Sequence, residues 1–95
     1  MQPFFVYILK CNDGSYYVGH TDNMEKRLAE HKLKLIPTCY TAKRLPVELA
    51  YVDTTFSRYD ALSTERQIKN WSRKKKEALI ESNFSKLSLF GKKKF

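Results

Sequence analysis

Five side chains in this 95-residue sequence have types and spacings that could carry chemistry. Arg27 and His31 are four residues apart, so on a helix they are surface neighbours. Taking Met24 as 0°, Leu28 and Leu35 lie at about 40° and 20°, while His31 and Arg27 fall at about 340° and 300°. Both therefore border the apolar stripe instead of facing away from it. A cation and an imidazole in that position could hold an anion and move a proton; a snorkelling arginine and a half-buried core histidine would look the same. Glu65 is the sharper case. On its own helix it falls between Ala61, Leu62 and Ile68, where a carboxylate must be paired, protonated or bound to a cation. An ion pair to Lys69, four residues on, is the plain structural alternative. Tyr7 and Tyr17 add two phenols on apolar strands, which by themselves are ordinary packing residues.

The elements that must position these groups can be read from pattern. Phe4–Cys11 is aromatic and β-branched, a strand; Asn12-Asp13-Gly14 is turn chemistry; Ser15–Thr21 is again strand-like. The two make a β-hairpin. A three-residue loop, Asn12–Gly14, opposes Tyr7 to Gly19 and Leu9 to Tyr17 and puts both tyrosines on one face. A two-residue Asp13-Gly14 turn shifts the register by one and separates them. Residue pattern leaves both registers open.

Asp22 and Glu25 form a capping-box-like pair that can open a first helix from about Asn23 to Lys34. Ile36–Leu45 reads as loop. Pro46 leads into a third strand, Val47–Val52; Thr54–Ser57 can cap a helix from about Arg58 to Asn70, and Ser72 a last one to about Ser82. The order ββαβαα predicts an α+β fold, a three-stranded antiparallel sheet flanked by helices, over residues 1–82. Residues 83–95 read as a basic, weakly ordered tail.

Charge is placed unevenly. Residues 1–65 hold eight basic and eight acidic side chains, whereas residues 66–95 hold ten basic ones against Glu77 and Glu81. The net charge of +8 thus sits in the last third, most densely at Arg73, Lys74, Lys75 and Lys76. That asymmetry suits a polyanionic partner, with Lys43 as a further candidate contact and Lys92–Lys94 as a second basic cluster. The longest apolar run, Phe4–Leu9, is far short of the ~20 residues a membrane span needs. Two cysteines, Cys11 and Cys39, without clustered histidines are too few for a zinc site or a disulfide scaffold. A reduced, cytoplasmic, monomeric protein with no small-molecule cofactor is expected.

Taken together the pieces resemble the GIY-YIG nuclease domain, in its small stand-alone bacterial branch of the UPF0213 type. Phe5-Val6-Tyr7 and Tyr17-Val18-Gly19 stand for the two half-motifs in degenerate form. The ordered set that follows makes the match specific: Arg27 and His31 in EKRLAEH, Tyr40-Thr41, Pro46-Val47-Glu48-Leu49, then Ala61-Leu62, Glu65, Gln67-Ile68-Lys69 and Trp71-Ser72. The resemblance covers roughly residues 4–80. It implies the three-residue hairpin register, with Gly14 at positive φ and both tyrosines in one site. It also implies metal-dependent hydrolysis of DNA phosphodiesters, duplex or branched. Glu65 would hold a single Mg2+ or Mn2+ ion and Arg27 the phosphate oxygens. Tyr7 would help activate water, Tyr17 and His31 would complete the proton network, and Tyr40 would line the pocket. Other readings are a silent nucleic-acid-binding module of the same fold and an interaction protein whose basic C-terminus docks an acidic partner.

Overall fold

The computed structural model describes residues 3–33 and 43–82. Their order is β1 (Phe4–Lys10), β2 (Tyr16–Thr21), α1 (Met24–Lys32), β3 (Glu48–Thr55), α2 (Arg58–Lys69) and α3 (Arg73–Ser82). The three strands form one antiparallel sheet in the order β2-β1-β3. The expected α+β, ββαβαα architecture is the observed one.

The sequence of β1 explains its central place. Val6, Tyr7, Ile8 and Leu9 are consecutive and fully buried, which only a strand covered on both faces can achieve. One face carries Tyr7, Leu9, Met24, Leu28 and Val52, so α1 lies there. The other carries Val6, Ile8, Val18, Tyr51, Ala61 and Ile68, so α2 lies opposite. The helices sandwich the sheet. Truncating Leu28, 1% exposed, would cost about 2–5 kcal/mol, since neighbours collapse only partly into such a cavity.

The hairpin takes the three-residue register. Tyr7 pairs with Gly19 and Leu9 with Tyr17. Gly14 adopts φ 85°, which a side chain would strain. Asp13 fixes the loop by accepting from the Ser15 amide at 3.0 Å and from Arg44 Nε at 3.1 Å.

Three element details differ from expectation. Asn23, not Asp22, caps α1: its Oδ1 accepts from the Lys26 amide at 3.1 Å. Thr21 Oγ1 in turn accepts from the Asn23 amide, fixing the chain as it leaves β2. Strand β3 starts at Glu48 and runs on to Thr55, because its polar end still pairs with Phe4 and Phe5 of β1. A register shift between Ile8 and Leu9 leaves Ala50 as an extra residue on β3, a β-bulge. Helices α2 and α3 begin as expected, with Ser57 Oγ accepting from the Asp60 amide and Ser72 Oγ from that of Lys75. Tyr40, Cys39 and the 83–95 tail with Lys92–Lys94 lie outside the described residues.

Candidate active site

The hairpin register and the α1 stripe meet on one face of the sheet. Tyr7 and His31 are 0% and 2% exposed, and the Tyr7 hydroxyl lies 3.0 Å from His31 Nε2. Tyr17, half-buried, completes the cluster, with ring centroids 5.1 Å from His31 and 6.2 Å from Tyr7. Gly19 makes room for it. A Cβ there would sit 2.6 Å from Tyr7 Oη and 3.0 Å from Tyr17 Cε2. The glycine is needed for close approach, not for backbone freedom.

Arg27 joins the cluster from the border of α1. Burial works against its charge, but the hydrogen bond and charge interaction with Tyr7, helped by Glu30 at 3.1 Å, more than offset this and hold it above its ordinary value. Burial, with the Arg27 charge, holds the His31 imidazole below its usual range. A neutral His31 accepts at Nε2, so the Tyr7 O–H donates to it while accepting from the guanidinium. Burial of Tyr7 is thus compatible with both its hydrogen-bond roles.

Glu65 is not in this cluster. It projects from α2 with Ala61 and Ile68, toward the opposite face of the sheet from Tyr7 and Tyr17. There its Oε1 is 2.6 Å from His20 Nδ1 and its Oε2 is 2.9 Å from Lys69 Nζ. Burial pushes its carboxyl up, but these bonds and the Lys69 charge outweigh that and leave it below the usual carboxylate range. The two clusters approach the sheet from opposite sides because alternate residues of β2 face opposite ways, and His20, with Val18, faces α2. The Lys69 ion pair is present, and His20 is a partner the helical wheel could not supply.

The two clusters meet around the end of the sheet. A cavity of about 220 Å³ is lined by Phe4, His20, Thr21, Asp22, Arg27 and Arg58. Arg27 reaches it from the α1 face, and His20, bonded to Glu65, from the α2 face. A polar path thus leads from His31 through Tyr7 and Arg27 to one side of the cavity, and from its other side through His20 to Glu65 and Lys69. No group of three or more His, Cys, Asp and Glu able to hold a metal occurs among the described residues.

The basic residues expected to hold nucleic acid sit at the other end. Arg73 donates to the Gly14 carbonyl, its guanidinium lies 4.8 Å over the Tyr16 ring, and its Nε is 3.4 Å from Glu77. It clamps the hairpin turn. Lys75 lies 4.3 Å over the Trp71 ring; Lys43, Lys74 and Lys75 are exposed and Lys76 is half-buried. Seven residues of β1 put about 20 Å between this end and the cavity.

Comparison with known proteins bears on what such a path is for. The GIY-YIG catalytic domain matches residues 3–78. UPF0213 proteins of Bacillus pumilus and Syntrophus aciditrophicus are each 42% identical, over 81% and 87% of this chain and 78% and 95% of theirs. The solution NMR structure of a UPF0213 protein from Bacillus halodurans is 35% identical, covers 83% of both chains and superposes with a TM-score of 0.54. The residues on the polar path lie within the matched segment, and the chain belongs to the GIY-YIG domain family, a nuclease family, among its UPF0213 proteins.

Proposed function

We propose that this protein is a divalent-metal-dependent endonuclease that hydrolyses DNA phosphodiester bonds at the cavity between Arg27 and His20. The observation that carries the reading is the Arg27 guanidinium, bonded to the Tyr7 hydroxyl at one end of its reach and lining the cavity at the other. A planar fork there can take two phosphate oxygens. Its charge lies beside the Tyr7 oxygen, whose hydroxyl is 3.0 Å from Nε2 of neutral His31, so a proton could move along this pair. Tyr7 is fully buried, so its proton passes to His31 rather than into bulk water. Tyr17, the less buried phenol beside both rings, orders the solvent side of the network.

A hard divalent ion fits the donor present. Glu65 uses one hydrogen bond on each oxygen, and a carboxylate offers about four lone-pair sites. One carboxylate, with waters and substrate phosphate, is a usual ligand set for Mg2+ or Mn2+. When bound, the ion supplies positive charge against the developing charge on phosphate. Lys69 and His20 orient the carboxylate that would hold it. DNA is the partner proposed, engaged by a monomer; no described helix is long and apolar enough to cross a membrane.

A second reading has its own support. Both Glu65 oxygens are already satisfied by His20 and Lys69, which is what a purely structural carboxylate in a non-cutting DNA-binding module would show. One assay separates the two: purified protein with Mg2+ or Mn2+ on duplex, branched and single-stranded DNA, beside Glu65→Ala. Cutting by the parent alone supports the nuclease. DNA binding without cutting by either leaves the binding module.

A further inference from the structure

Arg58 lines the cavity with Arg27 and His20, yet neither the fold nor the chemistry proposed above uses it. It is the first residue of α2, at the helix end where the macrodipole disfavours a cation. The helix takes its cap from Ser57 and its buried face from Ala61, Glu65 and Ile68, so Arg58 is not spent on forming it. Among the described residues no carboxylate pairs with it. Its guanidinium lies 5.1 Å over the ring of Phe4, which opens β1 and lines the same cavity. A ring holds a guanidinium by its charge and takes none of its N–H donors. Arg58 is thus held at the cavity with its donors available. Arg27 has fewer to offer: bonds to Glu30, at 3.1 Å, and to Tyr7 already take a share. The remainder suits two phosphate oxygens. Against the two arginines the cavity sets one acid, Asp22. Its volume, about 220 Å³, is below the ~300–1,000 Å³ of ordinary small-molecule pockets, so it suits one compact anion.

We propose that Arg27 and Arg58 close on a single phosphate group from two sides, and that the cavity therefore holds a terminal phosphate, a monoester, more tightly than an internal diester. A diester presents two free oxygens, which the fork of Arg27 can take by itself. A monoester presents three and carries about −1.5 to −2 charges at pH 7. The third oxygen and the added charge are what a second guanidinium is suited to bind. Hydrolysis of a diester puts the water oxygen on phosphorus, releases one ester oxygen as an alcohol, and leaves such a group on the other new end. The ligand named here, a phosphorylated DNA end, rests on the nuclease reading; the clamp itself does not.

The test is run in EDTA, so that no cutting intervenes. Inorganic phosphate is titrated calorimetrically at fixed ionic strength. Anisotropy then compares two labelled duplexes of one sequence, one ending in phosphate and the other in hydroxyl groups. The parent should bind inorganic phosphate and prefer the phosphorylated duplex. Arg58→Gln should weaken phosphate binding about ten- to a hundredfold, as for a lost charge-assisted pair. It should also erase the end preference while leaving the hydroxyl-ended duplex near the parent affinity. Arg58→Lys keeps the charge without the fork and should recover only part of the loss. Arg58 is exposed, so the melting temperatures of both variants in chloride should match the parent's. A parent that ignores phosphate, binds the two duplexes alike, or keeps its end preference after Arg58→Gln overturns the inference. So does equal weakening of both duplexes with a salt slope lower by about one unit, because Arg58 would then hold a neighbouring phosphate of its own. A parent with the end preference that cuts no DNA in Mg2+ or Mn2+ fails the nuclease reading and leaves the clamp standing; one that cuts without the preference fails the clamp alone.

Discussion

Two tyrosines are buried on opposite faces of the sheet in opposite electrostatic settings. Tyr51, on the α2 face, has burial and the Asp53 carboxylate beside it, 3.3 Å from its hydroxyl, and its phenol is pushed up to about 12. Tyr7, on the α1 face, has the Arg27 guanidinium and a neutral imidazole instead. A carboxylate neighbour locks a phenol in its neutral form, whereas a guanidinium favours ionisation. Equal burial therefore leaves one tyrosine beside a carboxylate, with a satisfied hydroxyl, and the other between a guanidinium and an imidazole, the phenol that the proposed chemistry asks to give up a proton. Burial alone says nothing about which is which; the charge beside the oxygen decides.

The faces also differ in how they treat charge. The α1 face buries a neutral network and leaves Arg27 half-exposed at its edge. The α2 face keeps an ionised carboxylate under the cation of Lys69. If the proposed chemistry is right, the largest break comes from Glu65. Glu65→Gln keeps the shape and removes the charge, and should lower metal-dependent nicking by several kcal/mol of barrier, roughly a thousandfold. Lys69→Gln should cost only a little stability, as an exposed partner contributes about 1 kcal/mol or less. Nicking rates and melting temperatures of the two variants, measured together, decide it: equal nicking by both would make Glu65 a structural residue.

Tyr7→Phe sharpens the contrast between the two phenols. It should lower nicking by about 10²- to 10⁴-fold, the usual range for a lost acid–base group, while Tyr51→Phe leaves nicking near the parent rate. The same network sets a pH signature in stability. The His31 imidazole is held below its ordinary value in the folded state, so as pH falls the unfolded chain takes the proton first. Its contribution is complete above the ordinary imidazole range and is lost as pH drops below about 6.5. Thermal melts across that range should fall for the parent and flatten for His31→Gln; an unchanged slope would count against a buried neutral histidine.

Gly19 tests the same cluster through shape. Gly19→Ala drives a Cβ to 2.7 Å from Cζ of the fully buried Tyr7, so Tyr7 must shift. About 1–3 kcal/mol of stability should go, as in other overpacked cores, and Tyr7 should leave its bond to His31. A melting temperature within a degree of the parent would show that the rings have slack.

Much of this was legible in sequence, and the gaps have physical causes. The order of elements followed from period and turn chemistry, and helix angles put Arg27, His31 and Glu65 at buried borders, where they lie. A helical wheel says that a residue faces a sheet, not which side of it, so the separation of Glu65 from Tyr7 could not be read that way. Strand parity could have found His20: the alternation that sets Tyr17 toward α1 sets His20 toward α2. The capping pair Asp22/Glu25 misled because Asn23, one residue on, does the same work. In sequence the basic run reads as one patch of four adjacent cations, although successive helical positions are about 100° apart.

The smallest expected effect lies between the two ends of the sheet. Arg73 is turned back onto the hairpin, held by the Gly14 carbonyl, the Tyr16 ring and Glu77; Lys74, one position on, is exposed. If α3 guides DNA from about 20 Å away, its free cations do so by phosphate contact without reading bases. Lys74→Gln should then weaken binding by a similar factor on every DNA sequence and lower the salt slope by roughly one unit. Arg73→Gln should instead loosen the hairpin turn, lowering the melting temperature by a few degrees through about 1 kcal/mol of lost contacts, with the salt slope nearly unchanged. A steep loss of salt dependence in Arg73→Gln, or none in Lys74→Gln, would reverse the assignment and show that the clamp opens when DNA arrives.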